Sequence, residues 1–207
     1  MTFESLVVFA SIVFLIAIIP GPNALLVLFT SLAKNRIMAL ANVAGVALGF
    51  IIHAFISALG LSLLITQSET AFIALQWLGI LYLLWLGLNH IKAGVNLKPL
   101  NIPKTNQVNS LFRNFIKGLL TNLLNPKIVL FYLSIFPQFV SQDAVLSESL
   151  ILGIIQAIVV SLWFGVVIIL AESFKRFFVN AKNARRLNFL SGGIFIAFSA
   201  KLATTEL

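Results

Sequence analysis

Cysteine is absent from the 207 residues, histidine occurs twice, acidic residues number six, and charged residues together make up only 10% of the chain. The first absence excludes a disulfide framework, a thiolate metal site and a cysteine nucleophile. No Asp or Glu falls deep inside an apolar run, and His53 and His90 lie far apart. Neither a catalytic dyad nor a metal cluster can be assembled from such a set, so an intramembrane enzyme is disfavoured and no metal or cofactor is expected. What abounds is apolar, at 60% or about 124 residues. A soluble domain is nearer half apolar and a quarter charged. A spanning helix needs roughly 20 apolar residues, so the supply matches about six spans with little left over. The runs are continuous and do not alternate with period two, which favours helices over a barrel.

Six runs can be drawn, at about 3–33, 38–66, 71–91, 111–140, 146–171 and 187–206. The N-terminal Met-Thr-Phe-Glu lacks the positive region of a signal peptide, so the first run reads as a retained span. The stretches at 92–110 and 172–186 are longer, polar and basic; no Gly/Ser-rich linker appears. The expectation is an all-α integral membrane protein forming one domain over 1–207. Twelve of the fourteen Lys and Arg residues sit in the odd-numbered gaps: Lys34 and Arg36; Lys92, Lys98, Lys104, Arg113 and Lys117; Lys175, Arg176, Lys182, Arg185 and Arg186. The even gaps hold Glu69, Asp143 and Glu148 and no cation. By the positive-inside rule the odd gaps are cytoplasmic and both termini lie outside. The formal net charge of +8 is then a topology signal, not a nucleic-acid footprint.

The first and fourth runs, each about 30 residues, contain proline near the middle: Pro20-Gly21-Pro22-Asn23 and Asn122-Leu123-Leu124-Asn125-Pro126-Lys127. Proline removes a backbone donor and clashes with the preceding turn, so these helices should break. The runs open two sets of three. Because three is odd, the second set enters the membrane from the opposite side, giving inverted repeats at about 1–97 and 110–207. Paired interrupted helices in inverted halves point to a transporter site near the midplane; ordinary proline kinks are the alternative. Pro22 and Pro126 suit the first turn of a new half-helix, whose free N–H groups favour an anion such as a carboxylate. Asn23, Asn122 and Asn125 can bind a ligand's polar atoms or cap the breaks.

Lys127 is the one cation well inside a run, about 13 residues from the outer end of the fourth. A charge there costs roughly 2.5–3.5 kcal/mol and normally faces the bundle interior with a partner. An incoming carboxylate is one partner; backbone carbonyls of the broken helices are another. In the second run Ala41, Gly45, Gly49, His53 and Ser57 follow at successive steps of four. Gly45 and Gly49 permit close helix approach, which could serve a homodimer or the monomer's own interior. His53 on that line is a candidate proton carrier, or a histidine buried for packing.

The Pro-Gly-Pro-Asn at 20–23, the Gly45…Gly49…His53 line, Leu78-Gly79…Tyr82-Leu83…Leu86-Gly87, and Asn125-Pro126-Lys127…Phe131…Pro137-Gln138-Phe139-Val140 resemble the LysE/RhtB family of amino-acid exporters. That resemblance implies a six-span carrier of the bacterial inner membrane, driven by the proton gradient. Its substrate would be an amino acid held by Pro22, Asn23, Gly45, Gly49, Asn122, Asn125, Pro126 and Lys127. Many members carry glycines around the first basic gap, where this chain has Lys34-Asn35-Arg36, and an acidic residue where it has Phe50. The latter departure looks more like the neutral branch, which handles homoserine, threonine, leucine and analogues. A membrane scaffold without transport is the rival reading, but it gives no reason for two matched breaks.

Overall fold

The computed structural model describes residues 1–33, 35–67, 69–96 and 110–204; the expected basic residues Lys34, Lys98 and Lys104 lie outside that set. The first apolar run is two helices, α1 (Phe3–Ile18) and α2 (Pro22–Leu32), which meet at 57°. The next two runs are the single helices α3 (Arg36–Gln67) and α4 (Glu69–Val95). The fourth is again two helices, α5 (Leu111–Leu123) and α6 (Pro126–Ser134), followed by a 3-10 turn at Phe136–Phe139. Then come α7 (Val145–Ile169), α8 (Ala171–Val179) and α9 (Ala181–Thr204). Among the described residues α3 and α7 are each long and apolar enough to cross a membrane, and the bent α1–α2 pair is a third candidate.

Local chemistry accounts for the ends. Thr2 caps α1 by accepting from the Ser5 amide, and Ser110 caps α5 by accepting from the Arg113 amide. Both breaks have proline at the first turn of the second helix, where a missing N–H costs nothing. The stretch 172–186, expected as a polar gap, instead holds α8 and the start of α9. Reading apolar runs alone misses α8 because an amphipathic helix keeps a charged face, here Glu172, Lys175 and Arg176. Its other face packs Phe174 edge-on against Trp163 of α7, ring centroids 5.5 Å apart.

Helix α3 lies at the centre, packed on α5 along one side and α7 along another, while α4 pairs with α9 and α7 also packs on α1 and α2. Each of the three principal crossings is closed by glycine. A Cβ at Gly45 would strike the Phe115 carbonyl of α5, and one at Gly118 the Asn42 carbonyl of α3. Gly153 of α7 meets Ala54 of α3, and Gly87 of α4 meets Gly192 and Ile196 of α9. The glycine face on α3 is therefore used inside the monomer, one of the two roles open to it. Large apolar side chains point outward from several of these helices, among them Ile56, Leu78, Leu81, Leu162 and Ile169. Such a continuous apolar exterior suits lipid, since a soluble monomer rarely exposes large apolar patches.

Gly45→Ala and Gly118→Ala should each destabilise the protein by about 1–3 kcal/mol, because a methyl group has no space at a backbone contact. Gly165→Ala, with nothing within 4 Å of the added carbon, should be neutral or stabilising. Thermal unfolding in detergent compares the three.

Candidate functional site

At the first break α1 ends at Ile18, and its last carbonyls have no helical partners of their own. Lys127 reaches across from α6 to supply them. Its Nζ donates to the Ile16 carbonyl at 2.7 Å and to the Ile19 carbonyl at 3.2 Å. An ammonium at a helix C-terminus also meets the negative end of the helix dipole. Of the partners open to Lys127, backbone carbonyls are the ones it holds in this structure.

The second break is closed by its own residues. Asn125 caps α6, its Oδ1 accepting from the Lys127 amide at 3.1 Å, while its backbone N–H donates to the Asn122 carbonyl at 3.0 Å. The two breaks are alike in plan and unlike in chemistry. Counting from the N1 prolines Pro22 and Pro126, the N-caps are Gly21 and Asn125, and the following residues are Asn23 and Lys127.

Between the breaks is a small cavity of about 30 Å³, lined by Asn23, Asn125, Lys127, Gln156, Phe50 and Phe164, with aliphatic wall from α1. That is room for roughly one or two water molecules, not for an amino acid. Toward the start of α1, outside the cavity lining, lies an aromatic cluster, with Phe9 6.0 Å from Phe131, 6.0 Å from Phe136 and 5.3 Å from Phe139 between ring centroids. Toward the far ends of α2 and α7 stand the buried Val27, Leu28, Phe164 and Val167. There the Ser31 hydroxyl donates to the Ile168 carbonyl at 3.2 Å. Beyond this seam opens a larger cavity of about 640 Å³, lined by Ser31, Asn35, Arg36, Ile168, Glu172 and Ser173 among others.

Of the residues expected at the site, Asn23, Asn125 and Lys127 come together in the small cavity. Pro22 and Pro126 shape the breaks, but their side chains are exposed. Gly45 and Gly49 face α5, Gly49 lying against the Asn122 side chain. Asn122 is fully buried beside that glycine, outside the cavity lining. His53 is also outside the lining. It stacks on Tyr132 with ring centroids 5.1 Å apart, and its Nε2 lies 3.5 Å from the Asn122 carbonyl. Phe50, Gln156 and Phe164 also line the cavity and are not among the residues expected from the sequence. In the sequence Phe50 stands out only for what it replaces, and Gln156 is the one amide side chain within the fifth run, which is the signal that marks it.

The chain can be compared with known proteins on this basis. A family model described as LysE type translocator matches residues 14–206. The homoserine/homoserine lactone efflux protein of Salmonella typhimurium is 30% identical over 207 residues, covering 100% of this chain and 99% of its own. The leucine efflux protein of Klebsiella pneumoniae is 30% identical over 194 residues, covering 92% of this chain and 91% of its own. An uncharacterized membrane protein of Bacillus subtilis is 30% identical over 205 residues, or 96% and 98% of the two chains. No solved structure matches.

Asn125→Ala should lower the melting temperature in detergent, the loss of an N-cap acceptor costing about 1 kcal/mol. Asn125→Asp retains an acceptor and should stay close to the parent protein in the same measurement.

Proposed function

Because the chain belongs to the LysE type translocator family, we propose that it exports amino acids across the bacterial inner membrane, with neutral ones such as homoserine and leucine as substrates. The observation that carries this reading is the meeting of two proline-broken helices at one cavity that contains Lys127. The substrate carboxylate binds Lys127 and the N-terminal amides of α2 and α6, which present partial positive charge. Phe50 at the cavity wall offers an apolar surface and no counter-charge, which favours an uncharged substrate side chain.

The working unit is six spans arranged as two inverted repeats, about 1–97 and 110–207. Helices α1–α2, α3 and α4 make the first; α5–α6, α7 and α9 make the second. The packing supports this pairing. Second helices meet each other, as α3 with α7, and third helices likewise, as α4 with α9. Each second helix also packs on the broken helix of the other half, α3 on α5 and α7 on α1 and α2. Basic loops face the cytoplasm and both termini face outward.

Transport follows by alternating access, since a cavity of about 30 Å³ must enlarge to take an amino acid. The large cavity beyond Ser31 and Ile168 lies at the end where Arg36 and Glu172 sit, which the charge distribution makes cytoplasmic. Substrate enters there, passes the seam at Val27, Leu28, Phe164 and Val167, and leaves past the Phe9 aromatic cluster. If protons drive the cycle, His53 at the α3–α5–α6 seam is the carrier.

In cells fed dipeptides, the expressed protein should raise external homoserine or leucine. Lys127→Met, present in the membrane at the parent level, should cut that export by about tenfold or more, as loss of a charge-assisted hydrogen bond requires. An unchanged rate would remove Lys127 from the substrate site. Export by His53→Gln that still follows an imposed pH gradient would remove His53 from the coupling.

A further inference from the structure

Two acceptors in the small cavity have no donor among the described residues. Asn23 Oδ1 and Gln156 Oε1 are buried without hydrogen-bond partners, on side chains only 5% and 3% exposed. They come from different helices, α2 and α7, and line the same cavity as Lys127. Leaving a buried amide oxygen unpaired is costly, so two in one cavity are a standing demand for a donor. The Lys127 donors are engaged elsewhere. Lys127 Nζ gives to the Ile16 and Ile19 carbonyls, and the Lys127 amide gives to Asn125.

We propose that Asn23 Oδ1 and Gln156 Oε1 receive the α-ammonium of the transported amino acid, restricting the carrier to substrates with a free amino group. This rests on the export reading above. An ammonium offers three donors and no acceptor, the complement of a pair of bare carbonyl oxygens. The remaining walls divide the other parts of an amino acid. Lys127 and the half-helix N-termini match the carboxylate, while Phe50, Val160 and Phe164 face the side chain. A simple carboxylate would satisfy the positive groups and leave both oxygens bare, so it binds at a penalty. Bridging α2 to α7 through one ammonium adds, when a zwitterion is present, a second link between these helices to the Ser31–Ile168 hydrogen bond.

The test is isothermal titration of the purified protein in detergent with leucine, 4-methylpentanoate, which lacks the amino group, and N-acetyl-leucine, which lacks its charge. The parent should bind leucine at least about tenfold more tightly than either analogue. Gln156→Leu should weaken leucine about tenfold and leave 4-methylpentanoate unchanged, collapsing the preference. Gln156→Glu keeps acceptor oxygens without an amide donor and should retain the preference. Should Gln156→Leu not purify as a single species, Asn23→Ala removes the other acceptor and is read in the same way. Equal binding of all three ligands by the parent, or equal weakening of all by Gln156→Leu, overturns the assignment while leaving the carrier intact. A parent that binds none of them overturns the export reading itself.

Discussion

A helix that stops inside hydrocarbon strands its last carbonyls, and here the Lys127 ammonium takes two of them. The rest of the central region depends on that arrangement. Water is not available in the bilayer core to satisfy broken backbone, so an interruption survives only where other groups stand in. Lys127 does this for α1 at 2.7 and 3.2 Å, and the carbonyls in turn give a deeply placed cation the partners it needs. Each feature would be costly alone. Together they offset one another, and they hold α1 and α6, from opposite halves of the chain, against a common cavity.

The site is built from a repeated plan with one substitution of chemistry. Each half-helix begins with proline, but the next residue is neutral Asn23 in one and cationic Lys127 in the other. A symmetric pair of lysines would repel and double the insertion cost; a symmetric pair of asparagines would leave no charge for a carboxylate. The asymmetry puts a cation on one half-helix and, on the other, a buried amide oxygen with no partner among the described residues.

Much of this was legible from residue order. Proline has a local, unconditional effect on backbone, so both breaks fall where Pro20-Gly21-Pro22 and Pro126 place them. Apolar runs likewise mark α3, α4 and α7 to within a few residues. What could not be read depends on contact between distant segments. Gln156 differs from any polar residue in a membrane helix only by facing α2. Gly45 and Gly49 show that some helix comes close, but not that it is α5. His53 shares their helical line, yet its ring turns toward Tyr132 and away from the cavity. Helix α8 escaped for a different reason: hydropathy averaged along a segment cannot see a helix whose two faces cancel.

The glycine crossings bear on how such a chain can drift in sequence. At Gly45, Gly118, Gly87 and Gly192 the neighbouring backbone stands where a side chain would begin, so these positions admit almost no alternative residue. The outward faces of the same helices carry exposed apolar side chains, where one apolar residue serves about as well as another. Substitution is therefore cheap on the exterior and costly at the seams. A protein of this construction tolerates exchange of its outward apolar residues far better than a change at any of these four glycines.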